Sequence, residues 1–393
     1  MNFVYLSPHF PPNYRAFCQQ LHHLGVNVLG VADAPYETLD PALRTALTDY
    51  YQVDDLHDYG ALLRACEYFQ QQYGKIDRID SHTEYWLETE ARLRTDLGVW
   101  GIQNDTIQSM KQKSRMKAKY QEAGIRVARG RVCRSLAEAT QFVNEVGFPI
   151  VIKPDTGVGA AATYKLTNRQ DLEFFFTTPS PVDYMFEEFI AGDIYSFDGL
   201  TDRNGNLCFY TAHCYSNGIM ETVLEDTHVY YYSLREIPAD LEAAGRKVLS
   251  AFDVRERFFH FEFFRSHADG ALVALEVNMR PPGGLTTDMF NYANDFDIYQ
   301  AWARLVTNIP RAPSSGFPVW SRPYHVIYIS RKNHIAYRID HDEVIRRYAA
   351  LLCDHQAIPE IFSIALGNYG YIARSPELEP LIAMANDVHK QDA

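Results

Sequence analysis

The chain has 393 residues, 47% apolar and 22% charged, which is the balance of a soluble protein with two or three compact units. Its net charge of −13 repels phosphate backbones and speaks against nucleic acid or an anionic membrane as a partner. No apolar run approaches the roughly 18–20 residues of a membrane span. The segment from Met1 to Pro8 lacks the basic and apolar regions of a signal peptide. The six cysteines are scattered, with neither zinc-ligand nor disulfide-framework spacing, so a reducing cytoplasm is the expected setting.

In chain order, residues 3–6, 26–31 and 76–79 read as short buried strands. Helical patterns at 14–24, 59–73 and 86–97 separate and follow them. This alternation predicts βαβ units, a parallel sheet and a small doubly wound α/β domain. Its strand ends, Ser7-Pro8-His9 and Ser81-His82-Thr83-Glu84, lie where such sheets bind ligands. A polar helix is expected after Asn104-Asp105, ending at Gly124. Then follow a strand over 126–133, a helix over 136–146, a strand over 149–153, a glycine loop and a strand over 162–166. Strands dominate from 184 to 278, and Pro281-Pro282-Gly283-Gly284 opens a helix running toward Thr307. A Pro/Ser/Gly cluster at 310–318 reads as a linker, and the last ~75 residues as a small α+β unit.

Three segments carry chemistry. In Lys153-Pro154-Asp155-Thr156-Gly157-Val158-Gly159-Ala160-Ala161-Ala162, a strand delivers a lysine and small residues then let backbone N–H groups approach an anion. Gly157-x-Gly159-x-x-Ala162 also matches a dinucleotide fingerprint, but that motif needs a helix next, and Thr163–Leu166 reads as a strand. The plain alternative is an ordinary hairpin loop.

The second segment pairs residues 258–264 with 271–280 through Ala268-Asp269-Gly270, a three-residue loop that would set Glu262 opposite Glu276. Facing carboxylates are destabilising unless a cation lies between them. The period of two puts Glu276, Asn278 and Arg280 on one face. Two carboxylates and an amide oxygen suit Mg²⁺, and Arg280 can hold a phosphoryl or carboxylate group. The competing reading is a solvated strand face. The third segment, Met185-Phe186-Glu187-Glu188-Phe189-Ile190-Ala191-Gly192-Asp193, is a strand ending in two acids and a turn, able to read a base edge and sugar hydroxyls. The Tyr230–Tyr232 run reads first as a strand with one packed face and second as a pocket wall.

The ordered set of Lys113, Lys153 with its glycine loop, Glu187-Glu188-Phe189-Ile190, Glu262 and Glu276-x-Asn278-x-Arg280 resembles the ATP-grasp superfamily. The resemblance is strongest to its carboxylate–amine ligases and extends to biotin carboxylase and carbamoyl-phosphate synthase. It implies ATP and Mg²⁺ (or Mn²⁺), with two ions. Lys113 and Lys153 would match the phosphate-binding lysines, and Gly157, Gly159 and Ala160 the phosphate loop. Glu187, Glu188 and Ile190 would match the adenine hinge, with Asp193 near the ribose. Glu262, Glu276 and Asn278 would match the metal ligands, and Arg280 the arginine at the transferred phosphoryl group, so that Lys153 and Arg280 are the catalytic candidates. Many members carry a glutamate two residues after the hinge glycine, where this chain has Ile194.

The fold class implied is mixed α/β and α+β. A Rossmann-like pre-ATP-grasp domain would occupy 1–103, and an ATP-grasp fold 104–309. The latter divides into a lid-bearing subdomain at 104–186 and a metal and nucleotide subdomain at 187–309, and a small α+β unit follows at 319–393. The implied activity joins a small-molecule carboxylate to an amine through an acyl phosphate, in a homodimer, with Glu84, Arg280, Gly283 and Gly284 as substrate-binding candidates. Two other readings stand beside it: a carboxyphosphate-forming enzyme and a non-catalytic nucleotide-binding module.

Overall fold

Phe3, Val4, Tyr5 and Leu6 are all buried, so the first strand has no wet face and needs cover on both sides. The computed structural model, which describes residues 1–157, 162–218, 222–223, 225–307 and 317–391, shows what supplies it. Strands β1 (Asn2–Leu6), β2 (Asn27–Ala32), β3 (Asp49–Gln52) and β4 (Arg78–Asp80) form a parallel sheet in the order β3-β2-β1-β4. Phe17 and Leu21 of the helix Arg15–His23 pack with Phe3 and Tyr5 on one face. Leu62 and Phe69 of the helix Tyr59–Tyr73 pack with Val4 and Leu6 on the other. β3 has no fully buried residue, which is why its sequence carries little strand signal.

A second, antiparallel sheet joins β5 (Gly130–Val132), β6 (Ile150–Pro154), β7 (Tyr164–Leu166) and β8 (Tyr184–Glu188) in the order β5-β8-β6-β7. Phe142 and Leu172 from its two helices bury against Ile150, Ile152 and Phe186. The third sheet has eight antiparallel strands: β9 (Gly192–Thr201), β10 (Leu207–Tyr215), β11 (Tyr230–Ser233), β12 (Phe258–Ser266), β13 (Leu272–Asn278), β14 (His325–Arg331), β15 (Leu352–Ala357) and β16 (Tyr369–Ser375). Their order is β13-β12-β9-β10-β11-β14-β16-β15, so the three C-terminal strands continue the sheet that carries the acidic hairpin.

Two expected helices are interrupted. The helix expected from 104 to 124 is two, Asn104–Lys111 and Lys113–Glu122, because Gln112 is extended (ψ 115°). Asp155 holds the break open: its carboxylate accepts from the Ser114 N–H at 2.7 Å and from Gln112 Nε2 at 2.8 Å. It thereby satisfies a free N–H of the second helix, as a cap would. The helix expected to run to Thr307 also breaks, into Thr286–Asn294 and Ile298–Thr307, where Asp295 turns left-handed (φ 48°). The strand expected over 126–133 shortens to β5.

Candidate active site

The hairpin β12–β13 sets Glu262 directly opposite Glu276 and His260 opposite Asn278. It reaches this register by a route the sequence does not suggest. The Ser266 N–H donates to Ala271 O at 3.0 Å, so the loop holds residues 267–270, one more than expected. Arg265 therefore pairs with Leu272 and Phe263 with Ala274, and a bulge at Leu275 restores the alignment at Glu276. Without that extra residue Glu262 would face Leu275, and Glu276 would turn to the other side of the sheet. With it, Glu262, Glu276, Asn278 and Arg280 all line one cleft of about 340 Å³ between the lid sheet and the large sheet.

The hairpin is backed by a buried polar chain. Asp198 on β9 is fully buried and accepts from Ser196 Oγ at 2.6 Å, while its oxygens lie 2.7 Å from His213 Nδ1 and 2.5 Å from His260 Nδ1. His260 Nε2 then points to Glu262 Oε1, 3.6 Å away. Burial alone would lower the His260 pKa, but Asp198 and Glu262 outweigh it and lift it to about 9. Burial likewise pushes Glu262 up, and the His260 contact brings it below its usual range. Among the described residues Glu276 has the Lys113 ammonium as its one ion-pair neighbour, at 3.9 Å, and burial leaves its carboxyl raised.

Lysines face these acids. Lys153 of β6 and Lys117 of the helix Lys113–Glu122 each lie 2.7 Å from one oxygen of Glu187 on β8. Burial would raise the Glu187 carboxyl, but the two ammonium groups win and hold it at about 2. Lys153 is buried, which lowers its pKa, yet Glu187 and Glu276 bring it above the ordinary value. Lys113 goes the other way, lowered chiefly by burial. Lys117 was not singled out from the sequence; its place one helical turn after Lys113 is the signal that could have found it.

Other expected residues are placed less centrally. Glu187 is turned into the lysines, and its backbone pairs with Gly130 and Val151, which leaves no edge of it for a base. The Glu188 carboxylate accepts from the Arg129 backbone N–H at 2.8 Å and its Nε at 2.6 Å. Glu188, Phe189, Ile190 and Ile194 line an apolar end of the cleft together with Ala128, Val151 and Leu275. Asp193 lies at the surface beside His267, 3.1 Å away, and does not line the cleft. Gly157 is exposed; its carbonyl accepts from Lys113 Nζ at 3.5 Å. Gly159 and Ala160 lie outside the described residues. Gly283 and Gly284 line the opposite end. Glu84 accepts from Lys111 Nζ at 2.8 Å, and its second oxygen is buried without a hydrogen bond, 3.5 Å from Arg280 Nε. His82, just past the end of β4, is buried against Phe17 with ring centroids 4.1 Å apart, a packing role.

A cleft with an apolar slot at one end, three lysines on a lid sheet and adjoining helix, and facing glutamates beneath is the arrangement of an ATP-grasp fold. Residues 146–288 match the family model described as an ATP-grasp domain. An L-arginine-specific L-amino acid ligase of Bacillus subtilis is 24% identical over 267 residues, 64% of this chain and 62% of that protein. The carbamoyl phosphate synthase large chain of Pseudothermotoga lettingae is 23% identical over 199 residues, 47% of this chain and 17% of that protein. The match therefore spans less than two thirds of either relative. The crystal structure of an L-amino acid ligase from Bacillus licheniformis superposes with a TM-score of 0.76 at 15% identity, covering 98% of this chain and 96% of that one. No helix among the described residues is long and apolar enough to cross a membrane.

Proposed function

We propose that the chain is an ATP-dependent ligase that joins a carboxylic acid to an amine through an acyl phosphate, releasing ADP and phosphate. The observation that carries this reading is the set of Glu262, Glu276 and Asn278 on the cleft floor facing Lys113 and Lys153, with Arg280 two residues past the end of β13. The donor set fits Mg²⁺: two carboxylates and an amide oxygen, all hard ligands, and among the described residues the nearest cationic nitrogens lie 3.9 Å from Glu276 and 3.6 Å from Glu262. Held there, Mg²⁺ would neutralise the β- and γ-phosphates. Two ions, a homodimer and a cytoplasmic setting belong to the same reading and rest on the family resemblance.

Lys113 and Lys153 place positive charge along the phosphates, and the Glu187 carboxylate holds Lys153 at the correct height. The adenine lies in the apolar slot, against the backbone at Glu188–Ile190. Arg280, whose Nη2 is 3.4 Å from Asn278 Oδ1, steadies the group in flight and the acid that receives it. A carboxylate oxygen attacks the γ-phosphorus and the bond to the β-phosphate oxygen breaks, giving ADP and the acyl phosphate. The amine nitrogen then attacks the acyl carbon, the carbon–oxygen bond breaks, phosphate leaves and the nitrogen gives up a proton. Glu84, whose Oε2 lies 3.5 Å from Arg280 Nε without a hydrogen bond, is the group we assign to hold the incoming ammonium.

The test is phosphate release from ATP and Mg²⁺ over a library of amino acids. Release that requires both an acid and an amine supports the ligase. Release driven by bicarbonate alone replaces it with a carboxyphosphate-forming enzyme, and nucleotide binding without release with a binding module.

A further inference from the structure

The cleft continues past Arg280, and its character changes there. Its far wall is made by Tyr215, Tyr231, Thr286, Phe362, Ala365 and Leu366. The charged lining residues run from Lys113 to Arg280; among the described residues these six wall residues carry no charge themselves. Asp288, two residues beyond Thr286, does not line the cleft; its carboxylate accepts from Asn13 Nδ2 at 2.9 Å and the Tyr299 hydroxyl at 2.8 Å. Lys332, beneath the same wall, is taken by Ile364 O at 3.1 Å and Asp226 Oδ1 at 2.5 Å.

This wall is built firmly. The rings of Tyr215, Tyr231 and Tyr328 stack in sequence, with centroids 5.0 Å and 5.1 Å apart. The Tyr231 hydroxyl meets Thr286 Oγ1 at 2.8 Å, and the Tyr328 hydroxyl donates to Leu366 O at 2.7 Å. That last bond pins the end of the helix Glu360–Leu366, while Phe10 stacks on Phe362 at 5.3 Å. Gly284 adopts a left-handed φ of 62°, and a Cβ there would sit 2.7 Å from Leu366 Cδ1 and push that side chain aside. The loop after Arg280 and the helix Glu360–Leu366 therefore touch, and the hydroxyls of Tyr231 and Tyr328 are spent on the wall itself.

Resting on the ligase reading, we propose that the acid activated here carries an uncharged, apolar side chain, lodged between Tyr231, Phe362 and Leu366. Its carboxylate has to lie at Arg280 to reach the γ-phosphate, so its side chain points at this wall. A guanidinium, ammonium or carboxylate carried there would lose water and, among the described residues of the wall, meet no opposite charge. The pocket thus selects against the arginine named for the Bacillus subtilis relative.

The experiment measures hydroxamate formation with ATP, Mg²⁺ and hydroxylamine as the amine, so that only the test amino acid can supply the carboxylate. Leucine, methionine and phenylalanine are expected to exceed arginine, lysine and glutamate in kcat/KM by roughly 100-fold. Phe362→Glu should move the arginine-to-leucine ratio at least about tenfold toward arginine. Ala365→Leu should cost phenylalanine about tenfold or more and spare alanine. Charged acids within threefold of the apolar ones in the wild-type protein would overturn the proposal, whatever the variants do, and leave the ligase reading standing. Hydroxamate from no acid at all, with Mg-ATP still bound, would strike down the ligase reading and this inference with it.

Discussion

The two walls of the cleft are held by different physics. The floor, β12–β13, is braced by buried groups: Asp198 behind His260, and Arg257, which donates to Met279 O at 2.7 Å between the metal-ligand candidate Asn278 and Arg280. Arg257 also reaches Asp80 at 2.7 Å and Glu90 at 2.9 Å, tying the N-terminal parallel sheet to the back of the site. The lid sheet is laced instead by surface pairs such as Arg134–Asp183, whose side chains are 70% and 44% exposed. Water and salt compete for these, so each contributes little. The floor is built to keep its donors in one place, and the lid to be held loosely. The exception is the buried Lys153–Glu187–Lys117 clamp, which fixes the one lid lysine that faces the acids.

The largest effect should follow from touching the floor's chemistry. Glu276→Gln is expected to lower ATP-dependent turnover roughly 10²–10³-fold, with an unchanged circular dichroism spectrum, as measured by steady-state phosphate release. Next comes the floor's brace. Arg257→Met leaves the buried Asp80 and Glu90 with Arg94 as their one remaining cation among the described residues and should cost about 3–5 kcal/mol in urea unfolding. A loss below about 1 kcal/mol would mean the brace is not what stabilises the floor.

The lid clamp should show itself in acid. Lysines hold the Glu187 carboxyl at about 2, below its ordinary 4.5, so its stabilisation is complete above pH 4.5 and is lost as pH falls toward 2. The unfolding free-energy gap between wild type and Glu187→Gln should therefore narrow across that window; a constant gap would remove Glu187 from the clamp. The smallest effect belongs to the lid surface, where Arg134→Ala should change stability by no more than about 0.5 kcal/mol.

The sequence carried the hairpin and its facing glutamates because strand alternation and an Asp-Gly turn are local signals. The register came out as expected through two compensating departures, a longer loop and a bulge at Leu275, neither of which composition marks. Glu187 reads as a hinge residue from its neighbours; that two lysines from separate elements converge on it is a matter of tertiary packing. Asp155 sits beside the glycine loop, yet its work is to break and cap a helix that begins more than forty residues earlier. The far wall was least legible, since it joins Gly284 to Leu366 and Tyr231 across the whole C-terminal third of the chain. Tyr231 was weighed as packing against pocket wall, and it is buried and lines the cleft.

The central claim is that a substrate carboxylate takes the γ-phosphoryl group directly, and oxygen transfer tests it. With both carboxylate oxygens of the acid labelled with ¹⁸O, amide formation should leave one labelled oxygen in each phosphate released, because the acid's own oxygen bridges to phosphorus and departs with it. Amide formed alongside unlabelled phosphate would contradict the account.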